Sequence, residues 1–326
     1  DLRHRGIGDR GAECLAAMVQ KNQFLEELFL EDNNIKERGV SCLLSAASRA
    51  HPQLRVLDLS KNQLQRAGES LSAFLSKPSH VTTLMLAGSG LGSNCELLAQ
   101  GLASNTSILH LDIGNNSVDD TRMKALCRAV EDNTVLQTLD LAWNKISKAS
   151  VPFLCKALRV NVSLLRLRLS WNNVGDPAVL ALSEMLSTGV NCTVQTLLLD
   201  HISASSDPVT VTALARAVQQ SASLIEVDLG GNSLGQPAAE RIISGLHPQS
   251  RLQRLVMQGC GLRGKLSEVL APAPNVLNVG EIFQSFPQLI DTLPGEKPKP
   301  KKSVRVPTTN ARVPAPRGAA QSRVVP

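Results

Sequence analysis

Between Leu136 and Ile146 the chain sets Leu136, Leu139, Leu141 and Ile146 at apolar positions, with Asn144 before the last. Leu139 and Leu141 alternate with Thr138 and Asp140. That is the period of a short strand sending its leucines to one side. Asn144 closes the strand, and its amide is suited to bonding backbone groups of adjoining turns. The same spacing restarts at Leu25, Leu54, Val81, Ile108, Leu136, Leu164, Val194, Leu224 and Leu252, at intervals of 29, 27, 27, 28, 28, 30, 30 and 28 residues. Between strands the apolar step changes to three and four, as in Met123, Leu126 and Val130, in Val151, Leu154 and Leu158, and in Val179, Leu182 and Leu186. Each set is one apolar face of a helix. A unit of one strand and one helix cannot bury its own apolar flank, so successive units must stack. The small pairs Gly11-Ala12 and Gly39-Val40 mark where a helix starts close to a strand.

The ends and irregularities of the pattern are informative. Leu2 and Ile7 match Leu30 and Ile35 at a separation of 28, so the chain is expected to open inside a repeat with an upstream segment missing. The connection from Ser187 to Asn191 and the loop from Asp200 to Pro208 are each two residues longer than their counterparts. Both flank the strand expected from Val194 to Leu199. Ile202 or Ala204 stands there in place of Asn, and Ser89 and Cys260 are small polar substitutes elsewhere. The period fades after Leu262, and Ala271-Pro-Ala-Pro274 ends it. The predicted organisation is a repeat array over residues 1–264, a cap or connecting segment over 265–293, and a disordered tail over 294–326. Eight of the 17 prolines lie from Pro287 onward, among few large apolar residues.

Composition changes the picture mainly by where the charge sits. Of 34 basic residues, eight follow Glu296 with no acid after them, leaving 26 against 28 acids in the rest. The net charge of +6 therefore belongs to the tail and is not a nucleic-acid signature of the array. The run Lys297, Lys299, Lys301, Lys302 and Arg305 reads as a tether to an acidic surface, such as a cytoskeletal filament or lipid, as a nuclear-import signal, or as a solvating linker. Seven cysteines without metal-ligand spacing predict reduced thiols and a cytoplasmic chain. Asn105, Asn115, Asn161 and Asn191 open glycosylation sequons, but the repeat itself sets Asn beside small polar residues, which discounts them. No apolar run approaches the ~20 residues of a membrane span, and no signal peptide is visible.

The run Asn161-x-x-Leu164-x-x-Leu167-x-Leu169-x-x-Asn172-x-Val174-Gly175-Asp176, followed by an Ala- and Leu-rich helix, resembles the ribonuclease-inhibitor-like class of leucine-rich repeats. Asn133 to Ile146 and Gln23 to Gly39 carry the same pattern. The resemblance covers about residues 1 to 264. It implies an α/β solenoid, a horseshoe with an inner parallel sheet and outer helices, of about nine to ten repeats of about 28 residues. It further implies an intracellular scaffold that binds another macromolecule. The class includes ribonuclease inhibitor, activators of the Ran GTPase, sensor regions of immune receptors, actin-capping regulators and ciliary proteins, so the fold alone names no partner.

Reactive chemistry is not indicated. Gly88-Ser-Gly90-Leu-Gly92 lacks dinucleotide spacing and reads as a tight turn. The six histidines are dispersed, and neither a phosphate-loop lysine nor a zinc-binding or nucleophile motif occurs. No catalytic residue, metal, cofactor or small-molecule substrate is expected. Two columns suggest binding instead. Two residues past the third leucine stand Asp32, Lys61, Gly88, Asn115, Trp143, Trp171, His201, Gly231 and Gly259. At ~4.8 Å per strand, Trp143, Trp171 and His201 would form an aromatic strip about 10 Å long. The outward strand positions are Phe29, Asp58, Met85, Asp112, Asp140, Arg168, Leu198, Asp228 and Val256. Their carboxylates, interrupted by Arg166 and Arg168, predict either a solvated acidic face or one that meets a basic partner. The expected contacts are Trp143, Trp171, His201, Arg166, Arg168, Asp112 and Asp140, with Asn33, Asn62, Asn116, Asn144, Asn172 and Asn232 as a structural ladder. The reading is a non-catalytic protein-interaction scaffold using the concave face and strand-to-helix rim. Its rivals are a cytoskeletal or ciliary regulator acting through the basic Pro-rich tail, a Ran-type GTPase activator, and a fragment of an immune sensor.

Overall fold

The computed structural model describes residues 1–48, 53–191, 193–246 and 250–261. Among them, nine helices alternate with nine strands. The helices are α1 (Gly8–Lys21), α2 (Glu37–Ser48), α3 (Gly68–Leu75), α4 (Cys95–Ala103), α5 (Asp120–Asp132), α6 (Val151–Val160), α7 (Gly175–Ser187), α8 (Pro208–Gln220) and α9 (Gly235–Ser244). The strands are β1 (Glu27–Phe29), β2 (Val56–Asp58), β3 (Thr83–Met85), β4 (His110–Asp112), β5 (Thr138–Asp140), β6 (Arg166–Arg168), β7 (Thr196–Leu198), β8 (Glu226–Asp228) and β9 (Arg254–Val256). The segments expected at 265–293 and 294–326, with the tail cations Lys297 to Arg305, lie outside the described residues.

All nine strands form one parallel sheet in chain order, as successive strand–helix units stacked in series require. The register aligns the central residues Leu28, Leu57, Leu84, Leu111, Leu139, Leu167, Leu197, Val227 and Leu255. These residues and the apolar helix faces form one continuous core cluster. In α5 the predicted stripe of Met123, Leu126 and Val130 is buried in it. The segment before α1 extends the ladder, with Leu2 N–H donating to Phe29 O at 2.9 Å and His4 N–H to Glu31 O at 3.0 Å.

Short strands leave long turns whose backbone needs partners, and buried asparagines supply them. The Asn144 amide donates to the carbonyls of Ile113, Leu141 and Ala142 and accepts from the N–H groups of Asn116 and Val118. Asn33, Asn62, Asn116, Asn172 and Asn232 bridge neighbouring turns in the same manner. Of the two alternatives near the longer loop, Ile202 takes the Asn position; its N–H and that of Ala204 donate to Asn232 Oδ1. Ser89 and Cys260 occupy the same column and donate to the carbonyls of Leu59 and Leu229.

A second buried row, at the helix-to-strand connections, is the larger surprise. Asn105, Asn133, Asn161 and Asn191 each donate to a carbonyl near the end of the helix one repeat back and accept from N–H groups two and three residues ahead. Three of the four sequons start here, at side chains at most 4% exposed. Carboxylates of Asp9, Asp120 and Asp176 also cross between repeats, accepting backbone N–H groups of Lys36, Ser147 and Ser205. Gly39 is crowded by the neighbouring helix rather than by a strand: a Cβ there would lie 2.7 Å from Asp9 Oδ1 and 2.9 Å from the Ala12 methyl, both in α1.

Six of the seven cysteines fall among the described residues, all as free thiols. Cys95 opens α4. Burial pushes the Cys95 and Cys127 thiols up to about 12. Among the described residues no helix is long and apolar enough to cross a membrane.

Candidate functional site

The column holding Trp143, Trp171 and His201 is the point where each repeat turns out of its strand through the left-handed region. All three have φ between 53° and 58°, and Asp32, Lys61, Asn115 and the glycines at 88, 231 and 259 are also left-handed, at 52° to 73°. Side chains on this column therefore leave the sheet in parallel. Their N–H groups donate to Ser170, Asp200 and Gly230 carbonyls one repeat along, at 2.9 to 3.0 Å.

The resulting stack is tight. Trp143 and Trp171 rings lie 4.1 Å apart between centroids, Trp171 and His201 rings 3.8 Å apart, each pair tilted by 9°. The His201 ring continues over Gly231, where a Cβ would overlap it. The two sides of the stack differ in accessibility. Trp143 is 52% exposed, whereas Trp171 Nε1 is buried without an acceptor among the described groups. Trp143 thus presents a large apolar edge on a rigid base, the form interaction anchors take.

A polar chain joins this rim to the strand face. Arg168 pairs with Asp140 Oδ2 at 3.3 Å, and its Nε donates to Ser170 Oγ at 3.1 Å. Ser170 Oγ donates to Asp200, whose other oxygen lies 3.4 Å from His201 Nδ1. Asp140, Arg168 and His201 are thereby connected through Ser170 and Asp200, which sequence reasoning passed over. A partial signal was present, because the column that runs Glu31, Ser60, Ala87, Gly114, Ala142, Ser170, Asp200, Gly230 and Gln258 has Asp200 as its one acid after Glu31. Asp112 lies beside Asp140 in register, and Arg166 sits two residues before Arg168, outside this chain of contacts.

The outward carboxylates differ from a solvated face. Asp58, Asp112 and Asp140 are at most 8% exposed, and with Asp228 each accepts the N–H two residues ahead through Oδ1, at 2.8 to 2.9 Å. They close the strand ends as turns. Desolvation raises Asp58 and Asp140, takes Asp112 well above the usual carboxylate range, and pushes Asp228 up to about 6. His110 was also overlooked: its Nδ1 lies 2.9 Å from Thr138 Oγ1, and burial followed by the charge of Arg166 lowers it to about 4.

Serial strand–helix units, one parallel sheet and asparagine-bridged turns define a leucine-rich-repeat solenoid. A leucine-rich-repeat family model matches residues 21–44, 104–127, 132–151 and 160–183, and the chain is a leucine-rich-repeat protein. It is 32% identical over 305 residues to a mouse (Mus musculus) protein described as NACHT, LRR and PYD domains-containing protein 12, covering 83% of this chain and 23% of that one. The human (Homo sapiens) protein of the same description is 30% identical over 304 residues, covering 80% of this chain and 28% of that one. The chain thus spans about a quarter of the length of these relatives. Among solved structures it is similar to an internalin C2 from Listeria monocytogenes, with 22% identity, a TM-score of 0.47, and coverage of 74% of this chain and 84% of that one.

Proposed function

We propose that this chain is a non-catalytic protein-interaction scaffold whose partner docks across the strand face and the rim carrying Trp143, Trp171 and His201. The observation that carries the reading is the half-exposed Trp143 indole, fixed by stacking on Trp171 at a turn repeated in every unit. A soluble domain seldom leaves tryptophan exposed on a preorganised base, and such residues dominate binding energy where a partner covers them. Arg168, Asp140 and Asp112 supply the polar margin, with Asp200 holding the histidine. The test is partner capture by the full chain against Trp143→Ala. Loss of at least tenfold in affinity with an unchanged far-UV spectrum is expected, and unchanged affinity sinks the proposal.

A second reading has a specific support. The relatives' own descriptions combine an LRR domain with NACHT and PYD domains, and this chain matches only about a quarter of them. The solenoid then serves as the recognition part of a larger sensor. Sequencing the intact transcript tests it, and an open reading frame without a nucleotide-binding domain removes it.

A further inference from the structure

The first outward position of each strand runs Thr83, His110, Thr138, Arg166, Thr196, Glu226 and Arg254 across β3 to β9. Arg166 is the anomaly in this row. It is 7% exposed, yet no hydrogen bond from its guanidinium is made within the described protein, and Nε and NH1 are fully buried without an acceptor. Among the described residues its one ionic contact is Glu226 Oε2 at 3.6 Å, past hydrogen-bond reach. Glu226 is better served from the other side, where Arg254 NH1 approaches Oε1 at 3.0 Å. One carboxylate therefore faces two guanidiniums, and Arg166 is the surplus cation. The other acids on this face are committed elsewhere: Asp140 to Arg168 and the Ala142 N–H, Asp228 to the Gly230 N–H. A buried charged group without hydrogen bonds costs several kcal/mol relative to one that is paired.

We propose that Arg166 is a carboxylate-accepting anchor on the strand face, filled by an Asp or Glu side chain of an acidic partner segment crossing β5 to β7. The proposal rests on the scaffold reading and supplies its partner's chemistry. Two features favour a monovalent carboxylate over a phosphate. Arg166 has two buried donors unfilled whereas Arg254, with Nε alone unfilled, is held by Glu226, and Glu226, Asp228 and Asp140 nearby oppose a second negative charge. Thr138 and Thr196 flank Arg166 in register on β5 and β7 and bring no charge to it. Neutral His110 adds no competing cation. The released Glu226 keeps its Arg254 contact, so transferring Arg166 to an incoming carboxylate costs no hydrogen bond. The sign of charge at this point is opposite to the one the acidic strand columns suggest for a partner.

The probe is a blocked hexaglutamate peptide added to the full chain carrying 15N-arginine, with the Arg166 Nε–H resonance assigned by its loss in Arg166→Lys. A saturable shift of that resonance is expected, together with at least a tenfold weaker response of the whole chain in Arg166→Gln. Peptide that moves other arginine resonances and leaves Arg166 still at saturation overturns the proposal. So does inorganic phosphate producing an equal shift, or hexalysine producing any saturable one. Should Arg166→Gln fail to fold, the wild-type titration decides by itself. Trp143→Ala separates the two readings: an intact Arg166 shift with partner capture lost, or the reverse, shows which of them has failed.

Discussion

At the residue scale, the chain turns on side chains that satisfy backbone groups. Asn144 serves three carbonyls and two N–H groups inside the array. Leaving a buried group unpaired costs about 1 to 3 kcal/mol, so Asn144→Ala should destabilise by about 3 kcal/mol or more, and Ser89→Ala by only about 1. Urea midpoints check the ordering, which equal losses would contradict. Asp228 gives a pH prediction. Its folded value of about 6 exceeds the unfolded carboxylate value near 3.8, so the native state binds the extra proton between the two. Its stabilising share is complete below pH 4 and is lost as pH rises through 6. Asp228→Asn retains an Oδ1 for Gly230 and cannot ionise. It should be more stable than the parent by about 2 to 3 kcal/mol at pH 7.5, with the gap closing by pH 4. A pH-independent gap would show that the carboxylate is not carrying the charge penalty.

At the element scale, the stack of Trp143, Trp171 and His201 depends on the empty place at Gly231. Gly231 has φ of +65°, and a Cβ would overlap the His201 ring. Gly231→Ala should therefore tilt His201 away from Trp171 and cost about 1 to 3 kcal/mol. Near-ultraviolet circular dichroism of the indoles should change while the far-ultraviolet helix signal stays. Unchanged aromatic signals would mean that the ring sits elsewhere. Trp171→Ala should lower stability by removing a ring packed on both faces, whereas Trp143→Ala should act mainly on binding. The aromatic column was legible in the sequence because its spacing from the third leucine is fixed. The left-handed backbone that points it was signalled by Gly88, Gly231, Gly259, Asp32 and Asn115 in the same column, but not at Lys61 or the tryptophans, whose side chains do not favour a positive φ.

At the scale of the repeat array, each unit rests on its neighbours. Leu139 sits at mid-sheet, 1% exposed in the continuous core. Leu139→Ala should cost about 3 to 4 kcal/mol through transfer and cavity terms and broaden unfolding across adjoining repeats. Hydrogen exchange should show protection highest around β4 to β6 and lower towards β1. Uniform protection from end to end would argue against serial stacking.

The sequence by itself determined the repeat, its strands and helices, and the asparagine bridges at the strand ends, because leucine and asparagine spacing are local requirements repeated in most units. Only the tertiary structure decided the fate of the charged positions. Asp112 and Asp140 look solvated along a single strand, yet a neighbour ~4.8 Å away on each side covers them and leaves their Oδ1 atoms to close turns. Arg166 likewise reads as one more surface cation until Glu226, 60 residues on, is seen to be already held by Arg254. Spacing along a chain fixes which way a side chain points, whereas its solvation and partners depend on what the stacked repeats bring beside it.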